Sequence, residues 1–405
     1  MADPLVIIGA GQAASQLVAS LAQDGFKGEV CLIGDEPHLP YQRPPLSKKF
    51  LAGELALDRL YVKPAAFYEK AGSRLLLGQR AQRIDRAGRT VILADGVRLA
   101  YSTLVLATGS RPRELALPGA GLEGAFYLRN IADVDAIRAR LAWAKSLVVI
   151  GGGYIGLELA AVAAKLGLGV TVLEQAPRLM ARGVGPVVSQ FYARLHGEEG
   201  VVIRAGAVVR GFEGNGAIER VVCDDATYDA DIVVIGAGAV PNVELAREAG
   251  LTVEDGIVVD ARCRADDDAI YAIGDCTSQH HDLVGRRLRL ESVHNALEQA
   301  RIAAAAICGR KPPAVQVPWF WTDQYDVKMQ MAGLSAGHDQ AVVRGGAEHG
   351  RSFAVFYLRE GTLIAVDAVN RAPEFMMSKQ LIAEHARIDP ARLGDEGVAM
   401  KDMRN

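Results

Sequence analysis

Two glycine-rich turns are the parts of this chain whose residue types and spacing could do chemistry. In the first, Gly9, Gly11 and Ala14 form G-x-G-x-x-A between an apolar run and a helical pattern, and Asp35 follows 26 residues after Gly9. The first glycine permits a tight turn, the second lets backbone amides approach a pyrophosphate, and the helix N-terminus supplies positive potential. Because an acid after the next strand accepts ribose hydroxyls, the pattern predicts a dinucleotide site.

The second turn repeats this arrangement. Gly151, Gly153 and Gly156 form G-x-G-x-x-G, and Glu174 comes 23 residues after Gly151. Two such patterns in one chain predict two bound dinucleotides. A carboxylate in the place of Glu174 binds a free ribose diol and repels a 2′-phosphate, and the next residue is Gln175 rather than an arginine. The second site is therefore expected to favour NADH over NADPH.

Two cations near this second site have two interpretations of similar weight. Arg178 and Arg182 follow Glu174 by four and eight residues. Each could be a solvated loop or helix side chain, and each could equally contact a phosphate.

Both turns need strands and helices to position them, and an internal repeat supplies these elements. The run PLVIIGAGQAASQLVASLAQDGFKGEVCLIGDE is echoed by SLVVIGGGYIGLELAAVAAKLGLGVTVLEQ, and both predict strand, turn, helix and strand. Continuous β-branched runs suit parallel strands that are buried on both faces, and Leu104–Thr108 and Ile232–Gly236 are further strands of this kind. From about Pro318, alternating apolar residues and a turn at Glu360 and Gly361 indicate antiparallel strands.

The predicted fold class is α/β, with two doubly wound, Rossmann-like dinucleotide-binding domains and a small α+β domain at the C-terminal end. The loops Leu115–Gly121 and Ala237–Asn242 are plausible crossings between the first two domains. The first domain would then be discontinuous, with predicted bounds of 1–114 and 237–317 for the first domain, 115–236 for the second and 318–405 for the third.

Composition excludes several classes of protein. The 45 Lys and Arg residues against 48 Asp and Glu give a net charge of −3, which predicts binding neither to nucleic acid nor to an anionic membrane. No apolar run reaches the roughly 18 residues of a membrane span, and the chain starts without a basic secretory n-region, so we expect a soluble, cytoplasmic protein. The five cysteines are scattered without a C-x-x-C pair, so no metal site is expected.

Further motifs give the chain a family resemblance. ATGSRPR at Ala107–Arg113 and IGDC at Ile273–Cys276, together with the two glycine turns, resemble the two-dinucleotide flavoprotein reductases, whose fold is of the glutathione-reductase type. LPYQRPPLSKKFL at Leu39–Leu51, GGGYIGLELAA, ESVHNALEQAR and PWFWTDQYD are most similar to the bacterial ferredoxin reductases that serve oxygenases. The likeness spans nearly the whole chain.

The resemblance implies an NADH-dependent enzyme with FAD in the first unit and NADH in the second. Hydride from NADH would reach FAD, and electrons would leave singly to a 2Fe-2S ferredoxin that serves a haem-thiolate monooxygenase or an aromatic-ring dioxygenase. The stretch RPPLSKKF lacks the redox cysteines of the disulfide-reductase and peroxidase branches, so flavin alone must hold the electrons. The alternatives are a rubredoxin reductase or NADH oxidase on the same fold, and an apoptosis-inducing-factor-like redox signalling protein.

The resemblance also implies roles for individual residues. Lys48 would approach flavin N5 and pair with Glu158, although the same pair could be an ordinary interdomain salt bridge. Trp321 would cover the flavin or line the electron route, with core packing as the alternative. Asp275 would hold the FAD ribityl chain, and the backbone of Val293 would meet the pyrimidine side of the ring. The remaining implied cofactor-binding positions are Ala13, Arg43, Pro45, Ala81, Ala107, Thr108, Gly109, Arg129, Tyr154, Ile155 and Gly236.

A basic patch is predicted for the ferredoxin, because ferredoxins of this kind are acidic. Arg301, inside ALEQAR, is the leading candidate, with Arg310 and Lys311 beyond it. Such cations would steer a small, salt-sensitive encounter, although a charge run is usually a solvated surface. The chain is expected to be a monomer or a weak dimer.

Overall fold

The computed structural model describes residues 4–403, and the chain forms two compact units. Unit 1 comprises Met1–Gln42, Leu57–Arg111 and Val240–Gln316, and unit 2 comprises Arg43–Ala56, Pro112–Ala239 and Val317–Asn405. Unit 2 thus spans the whole of the second and third predicted domains, together with residues 43–56, 112–114, 237–239 and 317 of the first. The three-domain division stays a prediction.

The strands are short, as is usual where parallel sheets alternate with helices. In chain order they are β1 Leu5–Ile8, β2 Val30–Gly34, β3 Ser73–Leu77, β4 Ala81–Asp85, β5 Thr90–Leu93, β6 Arg98–Ala100, β7 Thr103–Leu106, β8 Ser110–Pro112, β9 Ala125–Tyr127, β10 Ser146–Ile150, β11 Gly169–Glu174, β12 Val202–Ala205, β13 Val209–Glu213, β14 Arg220–Cys223, β15 Thr227–Asp229, β16 Ile232–Ile235, β17 Ala239–Pro241, β18 Ile257–Val259, β19 Ile270–Ala272, β20 Thr277–His281, β21 Arg286–Leu288, β22 Trp319–Gln324, β23 Val327–Gly333, β24 Gln340–Gly345, β25 Phe353–Arg359 and β26 Thr362–Val369.

The α-helices are α1 Gln12–Gln23, α2 Ala65–Lys70, α3 Ile131–Leu141, α4 Tyr154–Lys165, α5 Pro186–Glu198, α6 Glu244–Glu248, α7 Val293–Ile307, α8 Ala372–Ala383 and α9 Pro390–Gly394. Short 3-10 helices occur at Pro44–Ser47, Leu57–Arg59 and Met400–Asp402. Across residues 4–403, none of the helices has the length and apolar character needed to cross a bilayer.

Unit 1 is built on a parallel sheet with strand order β19-β7-β1-β2-β3. The four residues of β1 are all buried, and their side chains alternate between two cores. Leu5 and Ile7 pack with Leu17 of α1 and Ala300 of α7, whereas Val6 joins the core on the other face. This burial on both faces explains the continuous apolar run of β1.

Unit 2 contains a second parallel sheet, with strand order β12-β11-β10-β16-β9. The order places β10 and the turn after it at the centre, beside the carboxyl ends of β11 and β16. Ligands of open α/β sheets bind at such carboxyl ends. The two parallel sheets confirm the two predicted doubly wound folds.

Unit 2 also contains an antiparallel sheet with strand order β22-β23-β26-β25-β24, against which α8 packs. The predicted hairpin joins β25 to β26, and Glu360 and Gly361 both have positive φ, at 50° and 75°. Two successive residues with positive φ form the turn that suits the twist of a two-residue hairpin. The structure therefore confirms the α+β character of the C-terminal region.

Candidate active site

The first glycine turn of unit 1 fits only glycine at its first position. Gly9 follows β1 with φ of +110°, and a Cβ atom there would lie 2.2 Å from the carbonyl oxygen of Ala107. Ala107 is held in this place because its amide donates to the oxygen of Ile8 at 2.7 Å. Any side chain at Gly9 would push these two strand ends apart.

The second glycine of this turn leaves an open space above a helix end. Gly11 is the N-cap of α1, has no side-chain capping bond, and a Cβ atom there would meet nothing within 4 Å. The first turn of α1 also contains no acidic residue. Ala13 and Ala14 are buried behind it, with Ala13 against Gly274. The uncapped amides are suited to an anionic pyrophosphate.

Other predicted residues of unit 1 lie around the same strand ends. Thr108 and Gly109 are fixed by Asn242, whose side chain donates to the oxygen of Thr108 and whose amide donates to the oxygen of Gly109. The Thr108 hydroxyl donates in return to the oxygen of Asn242 at 2.6 Å. Asn242 was not among the predicted site residues, and its place in the loop AGAVPN was the only signal that pointed to it.

Four more predicted residues have definite positions in unit 1. Asp35 is exposed directly after β2, and Ala81 is buried at the start of β4. Asp275 accepts a hydrogen bond from the Ser110 hydroxyl at 3.1 Å. Val293 is the first residue of α7, whose N-cap Ser292 accepts from the amide of Asn295. The helix thus begins at Val293.

The glycine turn of unit 2 has the same construction. Gly151 has φ of +102°, and a Cβ atom there would lie 2.4 Å from the oxygen of Gly236. A Cβ at Gly156 would lie 2.2 Å from the oxygen of Gly151, so the helix packs directly on the turn. Gly153, the uncapped N-cap of α4, faces open space. This turn therefore also leaves free amides at a helix end for a pyrophosphate.

Glu174 is held rigidly beside this turn. Its carboxylate accepts from the amide of Gly152 and from the amide of Ala176, both at 2.7 Å. A carboxylate has further lone pairs beyond these two bonds, so it can still accept from ribose hydroxyls. The next helical residues differ in exposure: Tyr154 is half-buried against Phe320, and Ile155 is exposed.

The two cations that follow Glu174 differ in the structure. Arg178 donates to the carbonyl oxygens of Val184 and Ala181 and to the hydroxyl of Ser189, so its guanidinium fastens the loop to α5. Arg182 is exposed and lies near Gly238. Of the two, only Arg182 has a position that suits a phosphate contact.

Lys48 and Glu158 form an ion pair that is largely removed from water. Lys48 Nζ lies 2.8 Å from Glu158 Oε2, and the two side chains are 17% and 4% exposed. Lys48 directly follows the 3-10 helix Pro44–Ser47, and its ammonium also donates to the oxygen of Pro44 at 3.2 Å. Prolines at the first two positions fix φ and predispose this turn. Partial burial strengthens the interaction between the two charges relative to a surface pair.

Two hydroxyl groups that the sequence analysis missed complete the surroundings of Glu158. Ser47 donates to Oε2 at 2.5 Å, and Thr322 of β22 donates to Oε1 at 2.6 Å. Each carboxylate oxygen therefore accepts at least one hydroxyl proton. Ser47 lies inside the motif LPYQRPPLSKKFL and Thr322 inside PWFWTDQYD, but no local sequence pattern links either residue to Glu158.

The remaining predicted residues of unit 2 lie in two groups. Arg43 donates to the carbonyl oxygen of Arg129 at 2.6 Å, and Pro45 is in the turn before Lys48. Trp321 is half-buried and packs on Trp319, with ring centroids 5.5 Å apart. Its ring therefore packs on a neighbour in the sheet and keeps part of its surface accessible.

None of the five cysteines forms a disulfide, and Cys31, Cys223, Cys263 and Cys276 are buried. Burial raises the pKa of each of the five thiols above its ordinary value. Because the thiolate is the reactive form, these positions are poor redox centres. Within the described part of the chain, no cluster of three or more His, Cys, Asp or Glu side chains could hold a metal ion.

Comparison with known proteins identifies the class that combines this fold with two nucleotide turns. Residues 3–300 match the model described as pyridine nucleotide-disulphide oxidoreductase, and residues 319–404 match the reductase C-terminal model. The chain belongs to the pyridine nucleotide-disulphide oxidoreductase family. It is an oxidoreductase that uses FAD and NAD(H).

The relatives are more specific. The chain is 44% identical to putidaredoxin reductase of Pseudomonas putida, over 99% of this chain and 96% of the relative. It is 42% identical to the ferredoxin–NAD(+) reductase component of the anthranilate 1,2-dioxygenase system of Burkholderia cepacia, over 99% of each chain. The structure of a covalent putidaredoxin reductase–putidaredoxin complex matches with a TM-score of 0.96 and 43% identity, over 99% of this chain and 98% of that one.

The two open glycine positions give a test of which unit binds which cofactor. Gly11→Ala should release FAD, whereas Gly153→Ala should retain FAD but raise the Kd for NADH about tenfold, because the added methyl occupies the space of a pyrophosphate. The measurements are FAD content after gel filtration and NADH binding by calorimetry. Neither added Cβ meets a protein atom within 4 Å, so folding should be little changed.

Gly151→Ala is the matched control for this pair. Its Cβ would clash with the oxygen of Gly236 at positive φ, so it should lower the melting temperature rather than cofactor affinity alone. The assignment of FAD to unit 1 fails if Gly153→Ala, and not Gly11→Ala, loses the flavin.

Proposed function

We propose that this protein is the NADH-dependent, FAD-containing reductase of an oxygenase system. It takes hydride from NADH and passes electrons singly to a 2Fe-2S ferredoxin that serves a haem-thiolate monooxygenase or an aromatic-ring dioxygenase. The observation that carries the proposal is the pairing of two open glycine turns with five cysteines whose pKa values are raised by burial. Such a chain can bind two dinucleotides, but it has no thiol suited to electron storage.

The residues of this chain bind the cofactors and set the charge around them. Bound FAD supplies the chemistry that converts a two-electron donor into a one-electron donor. Lys48 would place a positive charge on the N5 side of the ring, held there by Glu158. The amides at the start of α7, after Val293, would stabilise negative charge on the other edge by roughly 0.3–1 kcal/mol. Trp321 would lie on the route by which electrons leave.

The predicted preference for NADH is supported by Glu174 and Arg178. Glu174 is fixed by two backbone amides at the end of β11, where its charge disfavours a 2′-phosphate. Arg178, the nearer cation, is already bonded to loop oxygens. Arg182 is the residue through which some NADPH binding could persist.

The ferredoxin is proposed to meet a basic patch around the end of α7. Arg301 is exposed on α7, and Arg310 and Lys311 are exposed just beyond it. Arg310 also lies 3.5 Å from Asp24, which reduces its charge towards a partner. Arg301 and Lys311 are therefore the stronger members of the patch.

Arg301→Glu should raise the KM for an acidic ferredoxin about tenfold at low salt, because two units of charge change at the docking surface. The effect should shrink as ionic strength rises, since exposed charges are screened. The measurement is ferredoxin-dependent cytochrome c reduction over a salt series. Arg247→Glu, an exposed cation on α6, is the control. Equal behaviour of the two variants would remove Arg301 from the docking surface.

The function itself is tested by NADH-driven cytochrome c reduction with and without a 2Fe-2S ferredoxin, repeated with NADPH. We expect a rate that depends strongly on the ferredoxin and prefers NADH. Ferredoxin-independent NADH consumption would instead indicate an oxidase, and slow turnover with a persistent reduced flavin would indicate a signalling flavoprotein. A faster rate with rubredoxin would indicate a rubredoxin reductase, a class represented by a Pseudomonas putida relative of 39% identity.

The setting of the reaction follows from the same proposal. A reductase that draws on NADH would work in the cytoplasm, where the cofactor is abundant, and as a monomer or weak dimer that leaves the docking surface free. Size-exclusion chromatography of the holoenzyme tests the oligomeric state.

A further inference from the structure

Behind Glu158, a row of buried polar side chains crosses the interior of unit 2. Thr322 donates to Glu158 Oε1 at 2.6 Å, and Gln324 Nε2 donates to the Thr322 hydroxyl at 3.2 Å. Gln324 Oε1 lies 2.8 Å from His196 Nε2, and the Tyr325 hydroxyl lies 3.1 Å from His196 Nδ1. Thr322, Gln324 and His196 are each at least 99% buried.

The donors of this row all point the same way, towards the carboxylate. Because the amide oxygen of Gln324 can only accept, Nε2 of His196 must be the ring nitrogen that carries the proton. Nδ1 then accepts from the Tyr325 hydroxyl. Burial lowers the pKa of His196 and so favours this neutral form. The row is a directional chain of four hydrogen bonds that ends on Glu158.

This row of hydrogen bonds can orient a side chain, but it cannot carry a proton along its length. An amide lies in its middle, and Gln324 cannot pass a proton from His196 to Thr322 without leaving its ordinary amide form. What the chain can do is hold the Thr322 hydroxyl in one rotamer, with its proton aimed at Glu158. In a dry interior, hydrogen bonds in series also polarise one another.

We propose that Thr322, Gln324 and His196 are positioning residues that act through Glu158 on the ammonium of Lys48. By fixing one carboxylate oxygen, they leave the other, Oε2, directed at Lys48 Nζ. The inference deepens the proposed function, since it assumes that the position of Lys48 matters to bound flavin. The row of hydrogen bonds joins side chains of α4, α5 and β22. As long as all its bonds are formed, it couples the C-terminal sheet to the ion pair.

The alternative is that these side chains only join β22 to α5 and have no effect on Lys48. Both interpretations predict some loss of stability when a substitution removes one hydrogen bond of the row, because a buried donor or acceptor is left unpaired. Only the positioning role predicts a change in the flavin's reduction potential, and only it predicts that the change disappears when Lys48 is absent.

Thr322→Val removes the hydroxyl that links Gln324 to Glu158, and it changes the shape of the side chain least. It should lower the rate constant of flavin reduction by NADH about tenfold, the effect of one hydrogen bond to a charged group, while the Kd for NADH stays unchanged. The flavin midpoint potential, measured by dye equilibration on the holoenzyme, should become more negative because the ammonium is less well held. Thr322→Ser restores the hydroxyl and should restore the potential.

A double-variant cycle with Lys48→Met completes the test. In the Lys48→Met background, Thr322→Val should cause no further change in potential. If Thr322→Val does not fold, Gln324→Met can replace it, because it removes the hydrogen bond to Thr322, one bond further from Glu158. It should give a smaller shift of the midpoint potential in the same direction. An unchanged potential in a folded variant, or full additivity with Lys48→Met, would overturn the inference. Because dye equilibration needs no ferredoxin, a failed ferredoxin assay would leave this result standing.

Discussion

Lys48→Met is expected to slow the bleaching of the yellow holoenzyme by NADH about 10²-fold, the usual cost of removing one charged group from a preorganised site. Methionine keeps much of the length of the side chain but removes the charge that Glu158 holds in place. The affinity for NADH should change little, because the second glycine turn is intact. The measurement is the rate constant of flavin reduction in a stopped-flow instrument at saturating NADH.

Lys49→Met is the matched control, since Lys49 is the adjacent residue and is exposed. It should reduce the flavin at the rate of the unaltered protein. Lys48→Met should also lower the free energy of unfolding by roughly 2–4 kcal/mol, because Glu158 stays buried with only hydroxyl donors for its charge. Flavin reduction at an unaltered rate in the Lys48 variant would leave the pair with a structural role only.

Asp367→Asn is expected to change how stability depends on pH. Asp367 lies on β26, is 4% exposed, and accepts from the Tyr357 hydroxyl at 2.6 Å. The same hydroxyl accepts from the amide of Gly185, the N-cap of α5. Burial raises the pKa of Asp367 from 3.8 to about 7. An asparagine oxygen can accept the same bond without any charge.

The direction follows from where the proton resides. Between about pH 4 and 7, the folded state keeps the proton of Asp367 and the unfolded state has lost it, so unfolding releases a proton and stability falls as pH rises. Above about pH 7 the contribution is constant. Relative to the unaltered protein, Asp367→Asn should therefore gain stability across this window, by at most about 4 kcal/mol.

Urea unfolding at a series of pH values measures this difference. The exposed Asp225→Asn is the control and should show no gain over the same window. A difference between the Asp367 variant and the unaltered protein that stays constant from pH 4 to 8 would contradict the raised pKa. A gain that appears only below pH 4 would do so as well.

The parts of the fold that the sequence predicts are those whose causes are local. Gly9 and Gly151 are required by their own positive φ and by a neighbouring carbonyl oxygen, and each follows a continuous apolar strand. The turn at Glu360 and Gly361 is equally local.

The surroundings of the ion pair could not be predicted in this way. Ser47 and Thr322 are 111 and 164 residues from Glu158 along the chain, and hydroxyl residues have no pattern that marks such pairing. Asp367 lies in an alternating strand and pairs with Val355, and only the fold shows that the hydroxyl of Tyr357, two residues further along β25, reaches its carboxyl. The resemblance predicts that Lys48 pairs with Glu158. The hydroxyl groups that orient the pair are distant in sequence and can be found only from the folded structure.

The protected state of the cysteines makes the protein a convenient subject for site-directed labelling. At neutral pH the four buried thiols should not react with maleimides in the folded protein, and only the half-buried Cys308 gives a background to remove. A Cys308→Ser variant with one new cysteine on the exposed side of α7 could then carry a fluorophore. Such a chain would report the arrival and departure of an electron acceptor directly, without any turnover.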